Sequence, residues 1–229
     1  MAVKESGPVS KRTRGRPKTF DRSVALHQAM KLFWERGYIG TSFDELIAVM
    51  GISPSSFYNA FGSKEQLYHE AMEAYAAQSR EWFAAELEAA TDTRTAFHRV
   101  LQAAAREFTR EDLPAGCMIS LACTQVPPAL GAVRDMVAAY RCGAQAAMAD
   151  RIQRGIKKGD VPFGTNADAL AAFYSALSRG MAVLARDGAT QDRLLEVADI
   201  GMRAWPSAPT NQLKSAKLCR LRRRTAAAP

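Results

Sequence analysis

Apolar residues recur every three or four positions along most of this 229-residue chain, which is the spacing of an amphipathic helix. The first such stretch begins after Asp21, a good N-cap residue, and ends at Gly37. It predicts a helix of about four turns. Because no stretch shows the regular alternation of a strand ladder, the pattern predicts an all-α fold.

Two short helices are predicted next, joined by a tight turn. The run TSFDELIAVMG places Glu45 three residues after Ser42, as in a capping box, and ends at Gly51. Ser53 is then a second N-cap, Pro54 occupies the first helical position, and the next glycine ends the helix. Two short helices around a glycine-containing turn predict a helix-turn-helix unit.

A long helix is predicted from Ser63, which can form a capping box with Gln66, to about Ala90. Polar breaks separate five further helical segments, at about 94–110, 117–125, 128–158, 166–186 and 190–205. The chain therefore divides into four predicted parts: a flexible basic arm (1–19), a small helix-turn-helix DNA-binding domain (20–66), a larger helical domain (67–205) and a basic tail (206–229).

The third predicted helix has two different faces. Its inward face is formed by apolar residues, namely Ile52, Phe57 and Phe61. Its outward face consists entirely of hydrogen-bonding residues, namely Ser53, Ser55, Ser56, Tyr58, Asn59 and Lys64. Hydroxyl and amide groups near a helix N-terminus can contact phosphates or base edges, as entry into a DNA groove requires. Two simpler roles remain open: Ser53 as an N-cap alone, and Tyr58 as an aromatic cap on the core of the small domain.

The net charge of +8 is concentrated at the two ends of the chain. Residues 1–20 carry six Lys or Arg against one acid, and residues 206–229 carry six against none, which leaves residues 21–205 at −3. Two basic ends suggest contact with a polyanion such as nucleic acid, through counterion release. The alternative for the C-terminal end is a solubilising tail. Residues 21–64 carry four basic and four acidic residues, so phosphate affinity must come largely from the arm.

Composition excludes several other classes of protein. No apolar run approaches the roughly 18 residues of a membrane span, and the N-terminus is basic and polar, so a cytoplasmic protein is expected. The four cysteines form no CxxC pair and the three histidines are scattered. No nucleophile–base pair or phosphate loop is present. We therefore expect no metal site, no cofactor and no enzymatic activity.

The run from RGRPKTFD through AMKLFWERGYIGTSFDELIAVMGISPSSFYNAFGSKEQLY resembles the DNA-binding domain of TetR/AcrR-type bacterial transcriptional regulators, over about residues 14–70. The resemblance implies a phosphate contact from Thr41 or Ser42 and a backbone contact from Lys64. It also implies base and phosphate contacts from the third helix, here Ser53, Ser55, Ser56, Tyr58 and Asn59. Pro54 stands where many members hold a base-contacting side chain, so the resemblance does not carry a base contact over to position 54.

The arm contains the sequence RGRPK, which resembles the core of an AT-hook. Because it precedes a helix-turn-helix domain without net charge, we interpret Arg14, Arg16 and Lys18 as an auxiliary clamp that reaches the minor groove.

The resemblance implies that the rest of the chain is a helical effector-binding and dimerisation domain. Residues that could line a pocket for an apolar effector are Trp82, Phe108, Cys117, Met118, Tyr140 and Tyr174. For each, an ordinary core position is the alternative. Cys117 follows Gly116 at a predicted helix start, where the helix dipole favours a thiolate. Two roles for Cys117 therefore remain open: a thiol switch for oxidants or electrophiles, and a small buried residue at a tight helix junction. The last two helices would form a four-helix dimer interface, with Ala171 and Ala198 permitting close approach.

These observations together predict a homodimeric transcriptional regulator, most readily a repressor. It would bind a palindromic double-stranded DNA operator and be released by a small-molecule effector, including a thiol-reactive one. Two other classes remain as alternatives: an architectural DNA-binding protein that uses its basic ends without sequence preference, and an enzyme.

Overall fold

The structure is a computed structural model, and it describes residues 20–122 and 131–207. The predicted arm with Arg14, Arg16 and Lys18 lies outside the described residues, and so do Cys123 and nearly all of the predicted tail. The described residues contain helices and no strand, which confirms the all-α class.

The helices of the described residues, in chain order, are α1 (Arg22–Arg36), α2 (Phe43–Met50), α3 (Pro54–Phe61), α4 (Lys64–Ala89), α5 (Thr93–Phe108), α6 (Met118–Leu121), α7 (Gly131–Lys158), α8 (Ala167–Arg186) and α9 (Gln191–Gly201). A 3-10 turn, Met202–Ala204, follows α9. The segment predicted as 190–205 ends earlier because Trp205 precedes a proline and is extended. None of these helices is long and apolar enough to span a membrane.

Local sequence signals begin the first four helices where they were predicted. The Asp21 carboxylate accepts from the Ser23 and Val24 amides, and the hydrogen bonds with Ser23 and Val24 lower the pKa of Asp21. Ser42 and Glu45 form the predicted capping box of α2. Ser53 and Ser63 cap α3 and α4 by accepting from the amide three residues later, but neither forms a reciprocal box, so the capping box predicted for Ser63 and Gln66 is only half formed.

Two apolar cores lie at opposite ends of α4. The first contains α1, α2, α3, the first turns of α4, and buried residues of α6 and the start of α7, and its fully buried residues include Phe33, Leu46, Phe57 and Leu67. The second joins the end of α4 to α5, α7, α8 and α9. The predicted boundary after residue 66 falls in the first turn of α4, whereas the side chains of α4 change from one core to the other between Tyr75 and Leu87. This helix is therefore shared by both cores.

A buried cation fixes the far end of α4. Arg151 of α7 donates to Leu87 O and Ala90 O, both at 3.1 Å, and to Thr93 Oγ1 at 3.0 Å. The two carbonyls belong to the C-terminal turn of α4, where a cation is favoured by the helix dipole. Gly155 allows this approach, because a Cβ atom there would lie 2.3 Å from Thr93 Oγ1. The far end of α4 is thus held rigidly against α7.

Candidate nucleic-acid interface and internal cavity

The exposed face of α3 carries polar side chains without charge. Ser53, Ser55, Tyr58 and Asn59 are exposed, and Ser56 is half-buried. The residues predicted to pack inward are buried, namely Ile52, Phe57 and Phe61. A helix with one face exposed along its whole length can enter a major groove.

Three serine hydroxyls cluster at the N-terminus of α3. Ser53 Oγ accepts a hydrogen bond from the Ser56 amide at 3.2 Å. The same oxygen lies 3.0 Å from Ser55 Oγ and 2.9 Å from Ser56 Oγ. Capping therefore accounts for Ser53, whereas Ser55 and Ser56 add hydroxyls beside the positive end of the helix, where phosphate oxygens are favoured.

Tyr58 packs on the core of the small domain and is also exposed. Its ring stacks on Phe43, with centroids 5.3 Å apart and an interplanar angle of 27°. Phe43 in turn meets the buried Phe57 ring edge-on at 4.8 Å. Tyr58 is nevertheless 57% exposed. The ring is therefore anchored to the core of the small domain while the side chain remains open to solvent.

Lys64 is the first residue of α4 and lies beside the turn after α3. Its Nζ is 4.4 Å from the centroid of the Tyr38 ring, a cation–π contact. Partial burial lowers the pKa of the Lys64 amine, and the nearby Glu45 carboxylate opposes part of that change. In the part of the chain that the structure describes, this ammonium group forms no ion pair, so it can accept a phosphate partner.

Thr41 and Ser42, the two candidates for a phosphate contact at α2, lie in different environments. Thr41 is completely buried, and its hydroxyl donates to Gly37 O at 2.7 Å. The prediction therefore needs correction for Thr41, because its side chain cannot reach DNA from this position. Ser42 is exposed, but its hydroxyl donates to Glu45 Oε2 at 2.7 Å. A phosphate at Ser42 would have to displace that bond.

The arginines of the small domain are already paired with carboxylates. Arg22 Nη2 lies 2.7 Å from Glu70 Oε2 and also donates to Ala60 O at 3.1 Å. Arg36 pairs with Glu45. Arg22 finds its carboxylate outside residues 21–64 and Arg36 finds one within them, so few of the cations near α3 are free for phosphates.

A cavity of about 550 Å³ lies between α4, α6, α7 and α8, within the size range of small-molecule sites. Four of the residues predicted for an effector pocket line it: Trp82, Phe108, Cys117 and Tyr140. Phe83 and Met148 extend its apolar wall. The second half of α4 forms one side, so the cavity and the helix-turn-helix share a structural element.

Met118 and Tyr174 do not line this cavity, and they require correction as pocket candidates. Met118 is buried in the first core. Tyr174 is completely buried, meets the rings of Phe97 at 5.2 Å and Trp205 at 5.6 Å, and donates to Gly201 O at 3.3 Å. Burial raises the pKa of Tyr174 to about 12, so its hydroxyl stays protonated as a donor. Its place in the fold is to join α8 to the end of α9.

Sequence reasoning missed the polar side chains of the cavity. These are Ser79, Arg80, Glu88, Ser120, Arg141, Ser175, Ser178 and Arg179. Arg179 Nη2 donates to Ser175 Oγ at 3.0 Å, and the spacing of four residues between them was the one available signal. That spacing shows that the two side chains are neighbours, but not that they face a cavity.

Cys117 is the N-cap of α6, at the helix start that was predicted. Its Sγ accepts from the Ser120 amide at 3.4 Å. The buried Tyr75 hydroxyl lies beside it: burial raises the pKa of Tyr75 well above its ordinary value, and the Cys117 thiol adds to the rise. A four-residue helix aligns few peptide dipoles, which weakens the argument for a dipole-activated thiolate. These contacts favour a packing role for Cys117 at the cavity wall.

Two basic side chains connect the small helix-turn-helix domain to the larger domain that contains the cavity. Arg186, the last residue of α8, donates to Trp34 O and, at 3.2 Å, to Glu35 O near the end of α1. Lys31 of α1 donates to Asp112 O at 2.7 Å, in the loop after α5. Each contact joins a helix of the small domain to the cavity domain through carbonyl oxygens. The orientation of α1 is therefore coupled to that of α8.

The last two helices expose an apolar surface, but on a different face from the predicted one. Ala171 and Ala198 are completely buried within the chain, so they cannot contact a second copy. The exposed apolar residues of α8 and α9 are Phe173 (43%), Val183 (47%), Leu184 (39%) and Ile200 (59%). These exposed apolar side chains make α8 and α9 a candidate interaction surface.

Comparison with protein families gives two matches. The model described as "Bacterial regulatory proteins, tetR family" matches residues 25–71. The model described as "Tetracyclin repressor-like, C-terminal domain" matches residues 95–198. The first match contains the helix-turn-helix, and the second contains much of the cavity wall.

Individual relatives agree with the family models. The HTH-type transcriptional repressor ComR of Escherichia coli is 32% identical over 201 residues, which cover 86% of this chain and 94% of that protein. A cysteine mutant of the TetR-family regulator CifR, solved with 26 bp of double-stranded operator DNA, is 38% identical with a TM-score of 0.80; the match covers 84% of this chain and all of that one. The Escherichia coli repressor BdcR is 28% identical over 82% of this chain and 90% of its own length.

Proposed function

This chain belongs to the TetR family of bacterial transcriptional regulators, and from that premise we propose that it is a repressor whose operator affinity is set by a small-molecule effector. The observation that carries the proposal is the uncharged polar face of α3, exposed on a base of buried aromatic residues. ComR is named a repressor, and CifR was solved on operator DNA, which supports the same role here. A repressor of this kind would act on chromosomal DNA in the cytoplasm.

The proposed DNA contacts are of two kinds: contacts that recognise bases and contacts that bind the phosphate backbone. Ser55, Tyr58 and Asn59 of α3 would contact base edges and nearby phosphates in the major groove. Ser56 and Ser53 border the same surface. The backbone would be held by Lys64, by Ser42 if its bond to Glu45 opens, and by Arg14, Arg16 and Lys18 of the arm. The arm carries most of the phosphate affinity because the arginines near α3 are paired.

The chain would act as a homodimer through the exposed apolar face of α8 and α9. A two-fold axis between the subunits would place the two α3 helices in successive major grooves, about 34 Å apart along the DNA. The operator would then be a palindrome with matching half-site spacing.

The effector would bind in the cavity and act through α4 and α8. The second half of α4 lines the cavity, while its first turns pack against α3 in the first core. On α8, Arg179 lines the cavity and Arg186, two turns later, holds the end of α1. An effector releases DNA only if it binds the non-binding conformer more tightly, by about 1.4 kcal/mol for each tenfold loss of operator affinity.

Selection of DNA fragments by the full-length protein tests the proposal. From a random duplex pool, the protein should enrich one palindromic sequence with half-sites one helical turn apart. A variant Tyr58→Phe keeps the ring on Phe43 and removes the hydroxyl, and it should enrich the same sequence less strongly. Failure to enrich any sequence would favour the architectural DNA-binding alternative.

A further inference from the structure

We infer that the cavity binds an amphipathic organic anion, a molecule with one carboxylate and an unbranched or aromatic apolar body. This inference rests on the proposed effector role of the cavity and adds the chemical class of the effector. It is carried by the charges of the cavity wall, which are not balanced, and by the apolar character of the rest of that wall.

Three arginines line the cavity without carboxylate partners among the described residues. Arg179 donates to the Ser175 hydroxyl at 3.0 Å, and Arg141 donates at 3.1 Å to two backbone carbonyls, Ile119 O and Ala122 O. Arg80 is exposed at the cavity wall and forms no ion pair in the described part of the chain.

The single carboxylate in the described cavity wall cannot balance them. Glu88 is paired with Arg154, whose Nη1 lies 2.9 Å from Glu88 Oε2. The hydrogen bond from Arg154 lowers the pKa of Glu88, so this carboxylate is ionised and already committed. The charge left over inside the cavity is therefore positive.

Arg179 is the arginine best placed to hold a ligand carboxylate. It is half-buried, and its one hydrogen bond within the described residues goes to the Ser175 hydroxyl, so most of its donors are free. A guanidinium offers two parallel donors that match the two oxygens of a carboxylate. A ligand carboxylate would supply the counter-ion that the protein does not.

The remaining wall selects an apolar body. Trp82, Phe83, Phe108 and Met148 present aromatic and thioether surfaces. A fully polar ligand such as a sugar would leave these surfaces unmatched, and a cation would meet the unbalanced arginines. A neutral hydrocarbon would fill the space but leave Arg179 without a partner.

Calorimetric titration of the full-length protein with decanoate and with decanol, below their aggregation limits, tests the inference. The two probes share a chain and differ in charge. Decanoate should bind at least about tenfold more tightly than decanol, since a charge-assisted hydrogen bond is stronger than one between neutral groups. Arg179→Gln should remove most of that advantage while leaving decanol binding unchanged, which shows that the cavity is intact. Arg99→Gln is the matched control, since Arg99 is exposed on α5 outside the cavity wall.

Equal affinity for the two probes, or no binding of either, would overturn the inference. So would decanoate affinity that survives Arg179→Gln unchanged. If that variant loses decanol binding as well, Arg80→Gln decides instead, because Arg80 is exposed: a weaker decanoate affinity supports the inference and an unchanged one overturns it. The titration contains no DNA, so its failure is separate from a failure to select an operator sequence.

Discussion

The α3 surface and the cavity wall handle charge in opposite ways. Near α3, Arg22 and Arg36 are neutralised by Glu70 and Glu45, although the proposed partner is a polyanion. Inside the cavity, Arg179 has no carboxylate partner in the described residues. In the proposed complex, pairing at α3 would suppress indiscriminate phosphate binding and leave recognition to hydroxyl and amide groups. The unpaired cation in the cavity creates a demand for one anionic ligand.

The exposed surface of α3 depends on the buried aromatic residues beneath the helix. Phe57 is completely buried under the helix, so Phe57→Ala should lower the free energy of unfolding by about 3–5 kcal/mol. Tyr58→Ala, which removes a mostly exposed ring next to it, should cost less than about 1 kcal/mol. Denaturant unfolding of both variants measures the difference. Similar losses would mean that the α3 surface has no separate support.

The second prediction concerns the arm, which we propose as the main source of phosphate affinity. Deletion of residues 1–18 removes six Lys or Arg, among them Arg14, Arg16 and Lys18. The loss of these three proposed phosphate contacts should lower the slope of log affinity against log salt concentration by about 3. Operator affinity should fall about ten- to a hundredfold at physiological salt. Binding titrations at several salt concentrations measure both. An unchanged slope would show that the arm does not contact DNA.

Removal of the Tyr58 hydroxyl tests whether uncharged groups recognise the operator. Tyr58→Phe keeps the stacking on Phe43 and should weaken operator binding about five- to tenfold, with no change in the salt slope. Tyr38→Phe is the matched control: it also removes one tyrosine hydroxyl but keeps the ring that packs under Lys64, and it should leave operator affinity unchanged. If Tyr58→Phe binds as tightly as the parent protein, Tyr58 is only a cap on the core.

The two regions should communicate through Arg186. Arg186→Ala removes the bonds to Trp34 O and Glu35 O without touching the cavity or α3. Coupling between ligand and operator should change by about 0.5–2 kcal/mol, while decanoate affinity in the absence of DNA stays the same. Operator binding with and without decanoate measures the coupling. If the Arg186→Ala variant keeps the full coupling between ligand and operator, Arg186 does not connect the two sites and α4 is left as the connection.

The smallest expected effect is a pH dependence at α2. Hydrogen bonds from Ser42 lower the pKa of Glu45 below its ordinary value of 4.5. The stability that this carboxylate contributes is therefore present above pH 4.5 and is lost as the pH falls through its folded pKa. Glu45→Gln should be less stable than the parent protein near neutral pH, and the difference should shrink in acid. A difference that is constant with pH would contradict the capping-box account.

Local and long-range determinants explain which predictions succeeded. The starts of α1 to α4 follow from caps and glycines within a few residues, and the sequence contained them. The different environments of Thr41 and Ser42 could not be predicted from the sequence, because both are hydroxyl residues. Only the fold shows that Thr41 is buried and donates to Gly37 O. Likewise Tyr140 and Tyr174 have similar helical settings, and only the packing of distant helices separates cavity from core.

The central claim is that α3 reads a DNA sequence. Its most direct test is the ratio of affinities of the full-length protein for a selected operator and for a random duplex of equal length, at one salt concentration. We predict a ratio of at least about 10³, the lower end for specific DNA-binding proteins. A ratio near one would contradict the claim and assign DNA binding to the basic ends of the chain.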